Sequence, residues 1–354
     1  MKKTFLLFIR VFQNKKSLWQ NWDCLKRAGL IPMVIVVVTL TIIVDLYTGD
    51  LAINNFNPLR WLGIFWIVCI YLIFSFLLDL IVSCTELKNF TDPLSGNINI
   101  SDLWKKVFTN PVNGFILMVI VLFGITSAQS LSEYYRVNVT TWHDANLWTL
   151  EEKFFFLLKG SLIDIPKCWD LIYLIYWPNL MLAYCVLYRK RRFNDLGIMS
   201  IATVLCYFLT RWIAIQYPTA GPIFYKPELF DLSGTYSAAF QEMLIRYMQG
   251  NEPQAGFIPG TMGMPSLHVG ISALGAWFLA RHVKWTIWPS ILWVCLTWIS
   301  TVMLGWHYAL DGIGGIAVAV VAIMTARTTL TIMNCRYGKL PPHRIGARFD
   351  LQRK

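Results

Sequence analysis

Apolar runs long enough to cross about 30 Å of hydrocarbon at 1.5 Å per residue recur along this chain. They fall near residues 30–47, 61–84, 112–129, 170–188, 197–216, 266–281, 285–305 and 310–333. A segment dissolved in lipid must satisfy its backbone internally, so runs of this length predict helices and exclude open sheets. The expected fold is therefore all-α, a polytopic membrane protein of about eight transmembrane helices. Charged residues make up only 14% of the 354, against roughly 25% in an ordinary soluble domain, which agrees with that class.

The 31 Lys and Arg then set the orientation, because basic loops stay on the cytoplasmic side. With eight crossings, most of them cluster in residues 1–29, 85–111, 189–196 and the tail, which predicts both termini in the cytoplasm. The net charge of +11 reads as topology plus attraction to anionic headgroups, with the bilayer as partner and no nucleic acid. The start, MKKTFLLFIRVFQNKK, is too interrupted by Arg10 for a cleaved signal and suits an amphipathic surface helix. Of eight cysteines, Cys24 is cytoplasmic, Cys168 falls in an outer loop and the rest lie in or at the ends of runs, so no disulfide framework or CxxC metal site is expected. The sequon Asn138-Val139-Thr140 falls on the outer side.

The expected organisation is a cytoplasmic amphipathic N-terminus (1–29), N-terminal spans (30–129), an outer loop with an interfacial helix (130–169), a transmembrane catalytic core (170–333) and a basic cytoplasmic tail (334–354). In the outer loop, LEEKFFFLLKGSLIDI mixes charge and bulk at helical spacing, as an interfacial helix does. The second long outer loop, 217–265, opens with YPTAGP and closes with GFIPGTMGMP, punctuation that predicts shaped turns in place of a regular element.

The chemistry concentrates at GMPSLHVG, residues 263–270, and GWHYALDGIGG, residues 305–315. If the chain dives inward after Ser266 and climbs back to Trp306, two crossings of about 30 Å return His307 to the depth of His268. Asp311 follows His307 by four residues, a spacing that on a helix stacks the carboxylate under the imidazole and fixes which ring nitrogen stays free. Small residues follow both histidines, Gly270, Ser272, Ala273 and Gly275 after the first and Gly312, Gly314, Gly315 and Ala317 after the second, and these let membrane helices approach closely. Ionisable groups at one membrane depth point to a site, whereas a transporter path would scatter them and a serine hydrolase at Ser266 would need a GxSxG elbow that is missing.

These residues resemble the type 2 phosphatidic acid phosphatase superfamily over residues 170–330. Pro265-Ser266-Leu267-His268 is similar to its second motif, and Ser300-Thr301 with His307 and Asp311 to its third. The resemblance implies a six-helix core in the C-terminal half, His307 as a nucleophile that forms a phosphohistidine, Asp311 as its orienting partner, His268 as general acid, Ser266 as a phosphate ligand, and neither metal nor organic cofactor. The sequence departs from the pattern at Leu267, where glycine is usual, at Thr301, where arginine is usual, and in lacking the first motif, since Tyr217 precedes Pro218 and Thr210 stands where lysine would. PSLH, Ser-Thr and YPTAGP look like the inositol phosphorylceramide synthase branch, and sphingomyelin synthases are similar in keeping HxxxD. That branch implies transfer of a phosphorylated headgroup to a lipid or alcohol acceptor; hydrolysis of phosphatidic acid-like or isoprenyl phosphates is the alternative. Arg211, inside the fifth run, is the expected phosphate-binding cation, with Lys226 and Arg246 behind it, and His143 with Asp144 reads as structural. The site is expected on the periplasmic, extracellular or lumenal face.

Overall fold

The computed structural model describes residues 30–49, 119–139, 141–161, 165–248 and 263–336. The expected amphipathic N-terminus, the run near 61–84 and nearly all of the basic tail lie outside the described residues. The helices in chain order are α1 (Leu30–Thr48), α2 (Gln129–Asn138), α3 (Asp144–Ser161), α4 (Pro166–Leu174), α5 (Trp177–Arg189) and α6 (Phe193–Gln216). After these come a short α7 (Pro222–Tyr225), α8 (Tyr236–Met248), α9 (Leu267–His282), α10 (Ile287–Met303) and α11 (Ala309–Arg336). An apolar helix over Val119–Ser132 runs on into α2.

Among the described residues five helical stretches are long and apolar enough to cross a membrane: Ile31–Thr48, Pro166–Arg189, Phe193–Gln216, Lys284–Met303 and Ala309–Met333. This makes the chain a multi-pass membrane protein. The stretch from Pro166 breaks near Ile175, where α4 hands over to α5 and Pro178 follows. Helix α9, expected as a full span, has 16 residues, about 24 Å of rise. It is the interior helix of the bundle, packed against α5, α6, α10 and α11, and nine of its residues are buried.

Close approach explains how α9 takes that position. A Cβ on Gly270 would lie 2.9 Å from the Gly315 carbonyl oxygen, and one on Gly315 would lie 2.2 Å from that of Ser266. On its other side Gly275 abuts the backbone of Leu180 in α5. Lipid tails are as apolar as leucine, so helices in a membrane gain little from burial as such and associate by packing backbones this tightly. Buried Ile271, Leu274 and Phe278 of α9 and Ile201, Val204 and Cys206 of α6 belong to one core with Ala319, Ala322 and Ala326 of α11.

The two ends of α9 face different surroundings. At its C-terminus Lys190 Nζ donates to the His282 carbonyl (2.6 Å) and His282 meets Asp195 (3.0 Å), so this end sits beside the tight turn between α5 and α6. Its N-terminus lies among the longer loops at 217–235, 263–266 and 304–308, over which α3 packs. Helix α8 departs from the turn expected throughout 217–265. Its 13 residues contain neither Pro nor Gly, and the punctuation that suggested turns is confined to the flanks.

The Gly270–Gly315 contact gives a direct test. Gly315→Ala is expected to lower stability by about 1–3 kcal/mol, the usual cost of overpacking where the neighbour is backbone and cannot yield. Gly160→Ala, where an added Cβ meets nothing within 4 Å, is the matched control and should not lower it. Thermal melts of the two purified variants in detergent check the difference.

Candidate active site

Ser266 is the N-cap of α9: its hydroxyl accepts from Val269 N (3.5 Å), and its own N–H donates to the Asp311 carbonyl (2.8 Å). This backbone bond ties the start of α9 to the first turn of α11. His268 and His307 consequently lie together, with ring centroids 6.0 Å apart. The rings are close enough for one phosphate to touch both, given that attack geometry needs contacts of about 3–3.5 Å. Span lengths led to the expectation that the two rings meet, and they do lie side by side.

His307 stands just before α11, in a turn where Gly305 has φ +70° and the Gly305 carbonyl accepts from Ile223 N (3.0 Å). The HxxxD spacing therefore spans a helix start. Asp311 forms half of a capping box, its Oδ2 accepting from Tyr308 N at 2.8 Å. The same oxygen lies 3.4 Å from His307 Nδ1, while the Gly263 carbonyl is the nearer partner of that nitrogen at 2.6 Å. A carbonyl oxygen only accepts, so Nδ1 carries the proton and Nε2 keeps its lone pair. Gly263 is a residue that sequence reasoning missed. Its place in GMPS was visible, but its carbonyl's target was not, and its N–H is anchored to Thr219 O at 2.8 Å.

His268 is flanked by Tyr173 (centroids 4.3 Å) and Tyr176 (4.5 Å), and its buried Nδ1 has no hydrogen-bond partner among the described residues. Both histidines line a cavity of about 740 Å³ together with Tyr207, Arg211, Trp306 and residues of α4 and α8. Arg211, only 6% exposed, donates from Nε to Ser132 Oγ (3.1 Å) and lies over the Tyr207 ring. Ser266 and Asp311 are fully buried behind the histidines and do not line the cavity. Lys226 and Arg246 do not line it either; they pair with Glu228 (4.0 Å) and Glu242 (2.5 Å) on exposed surface. Among the described residues no group of three or more His, Cys, Asp or Glu is placed to hold a metal ion.

Helix α3 holds the site loops with two carboxylates on one face, two turns apart. Asp144 accepts from Ala220 N (3.0 Å), Gly221 N (2.9 Å) and the Tyr308 hydroxyl (3.0 Å), which makes it structural, and neighbouring His143 stacks on Tyr217 at 4.2 Å. Burial, then the Asp144 charge, push the Tyr308 phenol far above its ordinary pKa, so it stays a donor. Glu151 accepts from Ala309 N (2.5 Å) and Leu310 N (2.6 Å), capping the free N–H groups that open α11. Burial raises the Glu151 carboxyl, opposed by those two N–H bonds. The sequence marked α3 as amphipathic but gave no partner for Glu151, 158 residues distant from Ala309.

Residues 151–325 match the family model of the PAP2 superfamily. The match runs from Glu151, inside α3, through most of α11, and so takes in every group just described as lining or supporting the site from Glu151 onward. It supports the superfamily and the class of phosphatases and phosphotransferases acting on lipid phosphates; it does not distinguish a branch within them. No curated protein and no solved structure matches the chain.

The Glu151 cap yields a stability prediction. Glu151→Ala leaves two part-buried N–H groups without an acceptor, at up to about 1–3 kcal/mol each. Glu151→Gln keeps one acceptor oxygen and is expected to fall between Ala and the native protein. Melting temperatures of the three proteins in one detergent give the order.

Proposed function

We propose that the protein is a membrane lipid phosphotransferase that works through a phosphohistidine at His307. The observation that carries this reading is the proton assignment at His307: the Gly263 carbonyl holds Nδ1–H, and Nε2 is left as the nucleophile, beside His268 and a cavity that contains Arg211. In the first half-reaction His307 Nε2 forms a bond to phosphorus as the ester P–O bond breaks, and His268 gives its proton to the departing oxygen. In the second, the hydroxyl oxygen of an acceptor attacks phosphorus, the P–N bond breaks, and the acceptor's proton returns to His268. Both histidines end as they began.

Asp311 acts from behind, as a negative charge 3.4 Å from Nδ1 that favours the positive ring formed when Nε2 is phosphorylated. Arg211 supplies the phosphate-neutralising charge that Thr301 does not, and Ser266 serves through the cap that sets His268. The PSLH and Ser-Thr variations, similar to the inositol phosphorylceramide synthase branch, favour transfer of a headgroup, including onto sphingolipid acceptors, over simple hydrolysis. The basic segments at 1–29 and 334–354 support cytoplasmic termini and a site on the periplasmic, extracellular or lumenal face.

The test incubates purified protein with radiolabelled phospholipids and stops it in alkali. Alkali-stable, acid-labile label on His307 is expected, and its absence in a protein that still consumes donor would overturn the assignment. His268→Ala should slow donors with a poor alkoxide leaving group by about 10²–10⁴-fold and spare an activated aryl phosphate. Product formed from an added acceptor alcohol without free phosphate separates transfer from hydrolysis.

A further inference from the structure

The cavity is much larger than a phosphate group requires. At about 740 Å³ it lies within the range of roughly 300–1,000 Å³ that encloses a whole small molecule. Its guanidinium and imidazoles come from α6, α9 and the turn before α11, and α8 adds a largely apolar wall. Tyr236, Ala239, Phe240 and Met243 line the cavity from one face of that helix, at the spacing that stacks side chains on a single stripe. Along the stripe Phe240 and Met243 are half-buried, whereas Ala239 and Tyr236 are exposed, the latter by 76%. On α4, Leu174 lines the same cavity and is 46% exposed. The apolar lining thus continues from the histidines to the surface of the bundle.

Helix α8 is held in this orientation by polar bonds at its first turn and at Gln241. Asp170 of α4 accepts from Tyr236 N (2.7 Å), Ser237 N (3.1 Å) and the Ser237 hydroxyl (2.6 Å), satisfying the helix start. Trp306 Nε1 donates to Ser237 Oγ (3.1 Å), and Gln241 Nε2 donates to the Leu304 carbonyl (3.0 Å). The helix is therefore tied to the same 304–308 turn that carries His307. A cavity with cation and imidazole at one part and a fixed apolar stripe leading outward has the complementarity of an amphiphile.

We propose that this face of α8, together with Leu174, seats the hydrocarbon chain of the lipid phosphoester, and that Ala239 and Met243 set which chains are accepted. The proposal rests on the phosphotransfer reading for its donor and adds what selects it. Each methylene buried along the stripe is worth about fourfold in binding, so chain length becomes a large lever on substrate choice.

The test has two arms. In the first, phosphatidic acid with a diazirine in its acyl chain is photolysed with the protein in vesicles, and the labelled peptide is mapped. Label within residues 236–243, competed by unlabelled phosphatidic acid, is expected in the native protein and in His307→Ala; label confined to other lipid-facing surface such as Trp288 overturns the proposal. In the second, Ala239→Trp fills the stripe, and the ratio of kcat/KM for dioleoyl over dibutyryl phosphatidic acid should fall about tenfold, the equivalent of about two methylenes. A ratio equal to the native one overturns the proposal even where both activities drop together. Chain label retained without any phosphohistidine would remove the proposed chemistry and leave the chain seat standing, so the two failures are distinguishable.

Discussion

Everything in the site depends on a backbone contact between two helices. Gly270 of α9 meets Gly315 of α11 without a side chain between them, and Ser266 N–H bonds the Asp311 carbonyl at the same junction. Without that approach the helix starts would stand a side chain's width apart, and two histidines 39 residues distant in sequence would have no reason to share a cavity. In hydrocarbon the usual hydrophobic drive is missing, so small residues at the contact do what bulky ones do in a water-soluble core.

The second layer of organisation is electrostatic and sits at helix ends. Three carboxylates are each spent on backbone N–H groups: Glu151 on the start of α11, Asp170 on the start of α8, and Asp144 on the loop at Ala220 and Gly221. Helix starts present unsatisfied donors and a partial positive charge, so a buried carboxylate there satisfies both partners at once. Through these bonds α3 and α4 fix the turn with His307, the loop that anchors Gly263 and the helix that walls the cavity. The imidazole then needs no partner of its own choosing; the Gly263 carbonyl, positioned by Thr219, dictates its tautomer. Asp311 is shared between that ring and its own helix start, which differs from a simple stacked pair on a continuous helix because α11 begins only at Ala309.

Much of this could be read from the sequence because it is periodic or local. Apolar runs of spanning length are one-dimensional signals, and α6, α10 and α11 begin and end within a few residues of the expected bounds. The pairing of His268 with His307 was legible because the rise of a helix is constant, so equal residue counts down and back give equal depth. Small residues flanking both histidines signalled close packing before any partner was known. By contrast α8 was hidden by the Pro and Gly on either side of it, and the 16-residue α9 does not differ in composition from a full span although it is the interior member of the bundle.

The amino-acid sequence alone determined the membrane class, the helical content, and the histidines and carboxylate that make up the candidate site, since each follows from how a residue type behaves in lipid or from its spacing to a near neighbour. Only the tertiary structure decided that Gly263 holds His307, that Glu151 caps α11, that Arg211 and not Lys226 or Arg246 reaches the cavity, and that α8 walls it. Those are contacts between segments far apart in the chain, many of them through backbone atoms that every residue carries. Their choice is made by three-dimensional proximity and by the need to satisfy buried polar groups, neither of which leaves a mark in residue order.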